Sequence, residues 1–224
     1  MTAFDIAPSA PTPAASLSLR DAAYGAIKAR IIRCEFRPGE VLNEAALASG
    51  LGLGRTPVHQ ALQRLEAEGL VSIIPRKGVL VTPLSIDEVL EMIEVRLCNE
   101  VLCVGLAIER ASQTEIAAMD ELLARVPALI TERDVAALSA LDLQFHLAIS
   151  AAARNRVLAE LLRGLHERQA RFWFLSLATA GHQEAVHQEH RRILEAFRTR
   201  DVAAGQRAMR DHIEAFRSTI GRSI

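Results

Sequence analysis

The chain has 224 residues, of which 50% are hydrophobic and 24% charged, so it is long enough for one or two domains and apolar enough to bury a core. Aromatic residues make up only 4%, which favours helices over a β-sandwich. Three scattered cysteines are too few for a disulfide framework or a four-cysteine zinc site, and they indicate a reducing compartment. No uninterrupted apolar run is long enough to span a membrane, and the N-terminus lacks the pattern of a signal peptide. Composition therefore predicts a mostly helical, cytoplasmic protein with no membrane partner.

The net charge of −1 conceals a difference between two parts of the chain. Residues 16–83 carry nine Lys/Arg and six Asp/Glu, whereas the remainder is acidic overall. A mildly basic first third is typical of a nucleic-acid-binding module, but many enzymes share it. Charge alone does not decide the function.

The first predicted elements follow a leader without periodicity. Residues 1–15 are rich in Pro, Ala, Ser and Thr and predict a disordered leader. The apolar spacing then predicts a helix over about 19–33. After a turn at Pro38-Gly39, Asn43 is a good N-cap for a short second helix, which we expect Gly50 to end.

A third helix and a hairpin complete this part. The helix is expected to begin near Arg55, with Pro57 tolerated in its first turn, and to end at Gly69. Residues 71–82 predict two short β-strands around a tight turn. Three helices and a hairpin in this order are the plan of a winged helix-turn-helix over residues 16–83.

Residues 84–224 predict a second domain, an all-α bundle of about six helices. Ser85 with Glu88 and Ser112 with Glu115 have the spacing of capping boxes, and Asp134 and Asp201 are further N-cap candidates. The expected helices lie near 86–110, 113–130, 135–152, 156–178, 184–199 and 202–220.

The first domain resembles the GntR family of bacterial transcriptional regulators. The matching residues are Pro38–Glu44, Leu51–Val58, Leu62–Leu70 and Gly78–Val81. The resemblance implies a double-stranded DNA operator as partner, read by the third helix and the hairpin. It places the candidate DNA contacts at Arg55, Thr56, His59, Arg64, Lys77 and Gly78.

These residues suit DNA chemically. An arginine at the first turn of a recognition helix, such as Arg55, can contact guanine through two hydrogen bonds in the major groove. Arg64 lies near the other end of that helix, where either a phosphate contact or a purely structural role is open. The sequence departs from the family pattern at Gly54, where a capping Ser is usual, and at His59-Gln60, where Arg-Glu is usual. We expect these departures to alter the operator sequence rather than to abolish DNA binding.

The second domain resembles the FCD-type ligand-binding domain of the FadR subfamily. The resemblance rests on Arg96, Asp142–His146, Glu189–Leu194 and His212. About six helices rather than seven place it closer to the shorter, VanR-like branch.

A metal site is predicted in this domain. Asp142 and His146 lie one helical turn apart and can converge on one divalent ion, and the resemblance adds His190 and His212 as ligands. This ligand set suits Zn²⁺, Ni²⁺, Mn²⁺ or Fe²⁺, and the sequence does not choose among them. His187, one turn before His190, could replace one of these ligands, but it is interpreted as a bystander.

Two other histidines, His166 and His182, have no partners at metal-binding spacing and are expected at the surface. Arg96 is assigned to an effector carboxylate, the alternative being an ion pair with Glu100 one turn on.

Together these features predict a homodimeric, ligand-responsive regulator. We expect a repressor that is released by a small organic acid bound near the metal. The competing hypothesis is a metal-dependent hydrolase or dioxygenase that uses the same Asp/His cluster.

Overall fold

The computed structural model describes residues 18–177 and 181–220, so the leader predicted over 1–15 lies outside the described residues. The N-terminal part, which we take as residues 18–83, folds as predicted into three helices and a small antiparallel sheet. Its elements are α1 (Leu19–Ile32), β1 (Val41–Leu42), α2 (Glu44–Leu51), α3 (Arg55–Ala67), β2 (Val71–Ile74) and β3 (Gly78–Val81).

The sheet has three strands in the order β1-β3-β2. The hairpin of β2 and β3 was predicted, and β1 is the additional strand: Val41 pairs with Leu80. Two residues are too short a run for a periodic pattern, which is why the sequence does not reveal β1. Gly78 begins β3 with φ +122°, and a Cβ there would lie 2.6 Å from the Leu42 carbonyl oxygen. Only glycine lets the wing pack this closely on β1.

The helix-turn-helix is capped largely as its sequence predicts. Asn43 accepts a hydrogen bond from the Ala46 backbone N–H at 3.0 Å, which starts α2. The helix continues past Gly50, and Gly52, with φ +64°, ends it in the left-handed conformation. The expectation that Gly50 ends α2 was therefore wrong by two residues. The apolar side of α3 packs into the core of the N-terminal part through Val58, Ala61, Leu62 and Leu65.

The helical bundle, which we take as the described residues from 84 onward, contains seven helices where about six were predicted. They are α4 (Ile86–Arg110), α5 (Gln113–Ala124), α6 (Val126–Glu132), α7 (Val135–Ala152), α8 (Arg156–Leu177), α9 (His182–Thr199) and α10 (Val202–Ile220). The extra helix arises because the segment predicted over 113–130 divides at Arg125, just before Pro127. Proline lacks the N–H that would continue the helix. The helix count therefore no longer argues for the VanR-like branch.

The predicted caps of the bundle are present. Ser112 and Glu115 form a complete capping box, and Asp134 and Asp201 cap α7 and α10 through backbone N–H groups. Ser85 accepts from the Glu88 backbone N–H, but the Glu88 carboxylate pairs with an arginine of α8 rather than returning to the cap.

Helix α7 is apolar enough by length and composition to cross a membrane, with a mean hydropathy of 1.4. It packs inside the bundle against α4, α5 and α8. Its inner face also carries Asp142 and His146, both buried.

Polar contacts join the two parts of the chain. Lys28 on α1 pairs with Glu68, at the end of α3, at 2.8 Å and with Glu167 on α8 at 3.1 Å. Burial would lower the pKa of Lys28, but these partners outweigh it and raise the pKa, so the ammonium stays charged. Arg171 of α8 donates to the Thr82 carbonyl. Helix α8 thus supplies the bundle side of these polar contacts.

Candidate functional site

The N-terminal end of α3 is exposed and its charge is unpaired. Arg55 and Thr56 are both exposed, and over the described residues Arg55 has neither an ion pair nor a side-chain hydrogen bond. Gly54 occupies the N-cap without a side-chain hydrogen bond. This helix end therefore presents backbone N–H groups and a guanidinium to solvent, a combination that suits a nucleic-acid phosphate or a base edge.

Two other candidates on α3 have partners within the chain. His59 lies on the exposed face, with Nδ1 3.2 Å from Glu44 Oε2 of α2. The Arg64 guanidinium stacks 3.6 Å over the Tyr24 ring and lies 3.4 Å from Glu68. Of the two roles that the sequence leaves open for Arg64, these contacts favour the structural one.

The wing tip is a second exposed cationic point. Arg76 and Lys77 are exposed and, over the described residues, make no ion pair. The Lys77 backbone N–H donates to the Ile74 carbonyl at 3.0 Å and closes the turn before Gly78. The wing and the start of α3 therefore both offer free positive charge.

Three of the four predicted metal ligands meet inside the bundle. His146 of α7, His190 of α9 and His212 of α10 are all buried, and their ligand nitrogens lie within 4.8 Å of one another. The fourth, Asp142, reaches this group with Oδ1 3.4 Å from His190 Nε2. Residues separated by up to seventy positions are thus brought together by the packing of three helices.

Carboxylates behind the imidazoles orient them. His212 Nδ1–H donates to Glu189 Oε2 at 2.8 Å, and His146 Nδ1 lies 3.0 Å from Glu100 Oε2. A carboxylate on one ring nitrogen fixes the tautomer and leaves the other nitrogen for a metal ion. Burial lowers the pKa of His190 and His212, which favours the neutral ring that a metal ligand must have.

Two buried polar atoms of the cluster lack a hydrogen bond among the described residues. Burial raises the pKa of Asp142 to about 6. Asp142 Oδ1 and His190 Nε2 are both buried without a hydrogen bond. Buried polar atoms of this kind are costly unless something pairs with them. Three imidazoles and one carboxylate could bind a divalent cation, and further carboxylates hold two of the rings in place. A bound cation would also pair with the buried atoms that lack a hydrogen bond.

Arg96 lies beside this cluster in an ion pair that is fully buried. Its Nε donates to Glu100, and both side chains are about 3% exposed. Burial opposes ionisation of Glu100, but the Arg96 guanidinium and the neighbouring His166 and His146 hold its pKa well below the usual range. The ion pair between Arg96 and Glu100, which was the alternative to an effector contact, is therefore present. It is buried in the bundle, whereas the sequence suggested a weak pair at the surface.

The expectation of a surface position for His166 was wrong. It is 6% exposed, its ring lies tilted against that of His146 with centroids 4.7 Å apart, and its Nε2 lies 3.6 Å from Glu100 Oε1. Sequence reasoning missed it because it has no local partner. The sequence did carry a signal for its burial: His166 follows the apolar Leu162 by four residues, and this spacing puts both side chains on the same face of α8.

The remaining histidines lie at the edge of the cluster. His182 is half-buried with its ring against Trp173, and His187 is half-buried one turn before His190. Burial lowers the pKa of both.

Two family models match the chain. The model described as bacterial regulatory proteins, gntR family, matches residues 19–81, and the FCD domain model matches residues 91–215. The exposed end of α3 and the wing lie in the first range, and the histidine cluster lies in the second.

Similar proteins are transcriptional regulators. The HTH-type transcriptional repressor GlaR of Escherichia coli (strain K12) is 30% identical over 200 residues, which cover 85% of this chain and 90% of GlaR. The HTH-type transcriptional regulator YdhC of Bacillus subtilis (strain 168) is 29% identical over 191 residues, which cover 84% of this chain and 85% of YdhC. Among solved structures, E. coli McbR/YncC superposes with a TM-score of 0.82 at 20% identity, over 93% of this chain and 99% of that one.

Proposed function

Because the chain belongs to the GntR family and carries an FCD domain, it is a DNA-binding transcriptional regulator and not an enzyme, and we propose that it is a repressor released by a small organic acid. The proposal rests on the presence of two features in one chain: a helix end with a free positive charge, and a buried cluster of three imidazoles and a carboxylate. The similar protein GlaR is a transcriptional repressor, which supports repression rather than activation as the direction of regulation.

DNA contact is assigned to α3 and the wing. Arg55 reads a base edge in the major groove, Thr56 binds phosphate or base, and Lys77 reaches the backbone or minor groove. His59 lies on the same face of α3, and Gly78 allows the close approach of the wing. Arg64 braces α3 against α1 through its stacking on Tyr24.

A divalent metal ion is assigned to Asp142, His146, His190 and His212. When bound, the ion supplies a positive charge that attracts an effector carboxylate; Zn²⁺, Ni²⁺, Mn²⁺ and Fe²⁺ all suit these ligands. Arg96 supplies a second positive group. Its Nε is held by Glu100, and over the described residues its two terminal nitrogens make no hydrogen bond, so they are available to a carboxylate.

The active form is assigned as a homodimer in the cytoplasm. A two-fold dimer presents two copies of α3 to the halves of a pseudo-palindromic operator. Exposed apolar side chains on one face of α4, Val95 at 42% and Leu102 at 50%, support an interface there.

The test separates sensing from DNA binding. A duplex selected from a randomised pool serves as the operator, and Zn²⁺ content and operator affinity are measured for wild type, His190→Ala and His187→Ala. We expect His190→Ala to lose bound metal and the response to added carboxylates while it still binds the duplex. His187→Ala, one turn away, should behave as wild type. Full metal content in His190→Ala would refute the ligand assignment.

A further inference from the structure

Helix α3 carries an uncharged polar stripe on the side that faces away from its core. Its buried inner face consists of Val58, Ala61, Leu62 and Leu65. At about 3.6 residues per turn, the positions directly opposite are Thr56, Gln60, Gln63 and Ala67, and all four are exposed. We call Thr56, Gln60 and Gln63 the outer stripe. When a recognition helix lies in the major groove, the face turned away from the core of its domain meets the base edges.

The charged and ionisable side chains that flank the outer stripe are engaged within the protein. His59 Nδ1 lies 3.2 Å from Glu44 Oε2. Glu66 Oε1 accepts a hydrogen bond from the Ile73 backbone N–H at 2.6 Å, and Arg64 is held against α1. Each of these side chains would have to give up a contact within the protein before it could contact a base.

The two glutamines of the outer stripe have free carboxamides. Within residues 18–177 and 181–220, neither Gln60 nor Gln63 makes a side-chain hydrogen bond. A carboxamide offers one acceptor oxygen and an NH₂ donor. Adenine presents the matching pattern in the major groove, the N7 acceptor and the N6–H₂ donor, and glutamine binds this edge through two hydrogen bonds. Guanine presents two acceptors there, which suit a guanidinium such as that of Arg55.

The spacing of the outer stripe suits consecutive base pairs. Gln60 and Gln63 are three residues apart, which separates them by about 4.5 Å along the helix axis. Stacked base pairs of B-DNA are about 3.4 Å apart, so the two carboxamides can reach neighbouring pairs. Thr56 lies one turn before Gln60, and its methyl group suits the C5-methyl of thymine. All three side chains of the stripe therefore favour A·T pairs.

We propose that Gln60 and Gln63 are specificity-determining residues that read two neighbouring A·T base pairs in each operator half-site. Each carboxamide donates to N7 of an adenine and accepts from its N6–H₂. The inference rests on the assignment of DNA contact to α3 under the proposed function, and it adds the bases that α3 selects. Arg55 keeps its guanine contact at the first turn of the helix, so one half-site combines a G·C pair with A·T pairs.

The test combines substitutions in the protein with substitutions in the DNA. Duplexes selected from a randomised pool by the wild-type chain define the operator, and each adenine that the selection fixes is replaced in turn by guanine within a G·C pair. Gln60→Ala and Gln63→Ala are compared with Gln113→Ala, the matched control, because Gln113 is an exposed glutamine in the first turn of α5. Fluorescence anisotropy gives the Kd of every combination at one salt concentration, since phosphate contacts make affinity depend on salt.

We expect wild type and Gln113→Ala to bind the selected duplex about 5–150-fold more tightly than each substituted duplex. Gln60→Ala and Gln63→Ala should each lose this discrimination at one adenine and keep it at the other. Repeating the selection with Gln63→Glu should shift the preferred base at one position from adenine to cytosine, because a carboxylate accepts from the N4–H₂ of cytosine. A glutamine that is merely solvated would produce neither result.

The outcomes separate this inference from the proposed function. Full discrimination in both α3 glutamine variants, or a selected operator without neighbouring A·T pairs, would overturn the inference. If Arg55→Ala loses operator binding in the same series, the assignment of DNA contact to α3 stands and only the adenine readers are wrong. If no substitution on α3 changes the affinity, Arg55→Ala included, that assignment fails as well.

Discussion

Glu189→Gln isolates the role of the carboxylate behind one metal ligand. Glu189 accepts the Nδ1–H of His212 at 2.8 Å and is only 9% exposed. Glutamine keeps the volume and an acceptor oxygen but removes the negative charge. Loss of such an outer carboxylate costs about 10–100-fold in metal affinity, equivalent to about 1.4–2.7 kcal/mol.

The same loss sets the expected change in thermal stability. At a free Zn²⁺ concentration a hundred times the wild-type Kd, metal binding stabilises the folded state by about 2.7 kcal/mol. A Kd that is 10–100-fold higher reduces this stabilisation to about 0.4–1.4 kcal/mol. Competition with a chromophoric chelator measures the affinity, and melting with and without Zn²⁺ measures the stabilisation.

Glu195→Gln is the control on the same helix. Its carboxylate is 61% exposed and, in the part of the chain that the structure describes, pairs only with Arg198 of its own helix, 3.3 Å away. The Zn²⁺ affinity of the variant should therefore equal that of wild type. Equal affinities in the Glu189 and Glu195 variants would refute the argument that Glu189 orients His212 for a metal ion.

Three further substitutions test the DNA-contacting face, the wing and the dimer. Arg55→Ala should weaken specific operator binding by about 1–3 kcal/mol, measured by fluorescence anisotropy, while the melting temperature stays unchanged because the Arg55 side chain has no partner within residues 18–177 and 181–220. Gly78→Ala should lower the free energy of unfolding by roughly 1–3 kcal/mol in urea, because its φ of +122° is strained for alanine and the new Cβ meets the Leu42 carbonyl. An effect near zero would contradict that packing. Leu102→Glu should convert the proposed dimer to monomer in sedimentation, and an unchanged mass would exclude the exposed face of α4 as the interface.

Local signals were sufficient for most of the fold. The start of α3 at Arg55, the caps at Asn43 and Ser112, and the wing hairpin all follow from residues within a few positions of one another. The single helix predicted over 113–130 was wrong, because Pro127 is a local signal for the division between α5 and α6.

The candidate site depended on long-range packing. The spacing of Asp142 and His146 predicts one shared helix face, but their meeting with His190 and His212 follows from how α7, α9 and α10 pack. His166 could not be added from sequence, since nothing in its own helix shows which partners face it across the bundle.

The cavity of about 350 Å³ between α1 and α8 had no sequence signal at all. It exists because two separately folded cores meet through polar contacts such as Lys28 with Glu167. Apolar periodicity reports which face of a helix is buried, but not whether that face is filled by a neighbour or by a ligand.

Operator affinity of the Zn²⁺-loaded chain, measured as straight-chain carboxylic acids are added, tests the central claim most directly. We predict that at least one acid between acetate and decanoate raises the operator Kd by about 5–150-fold, the usual range for coupling between two sites. An operator Kd that stays constant through the whole series, at concentrations that saturate the acid site, would contradict the account of a carboxylate-released repressor.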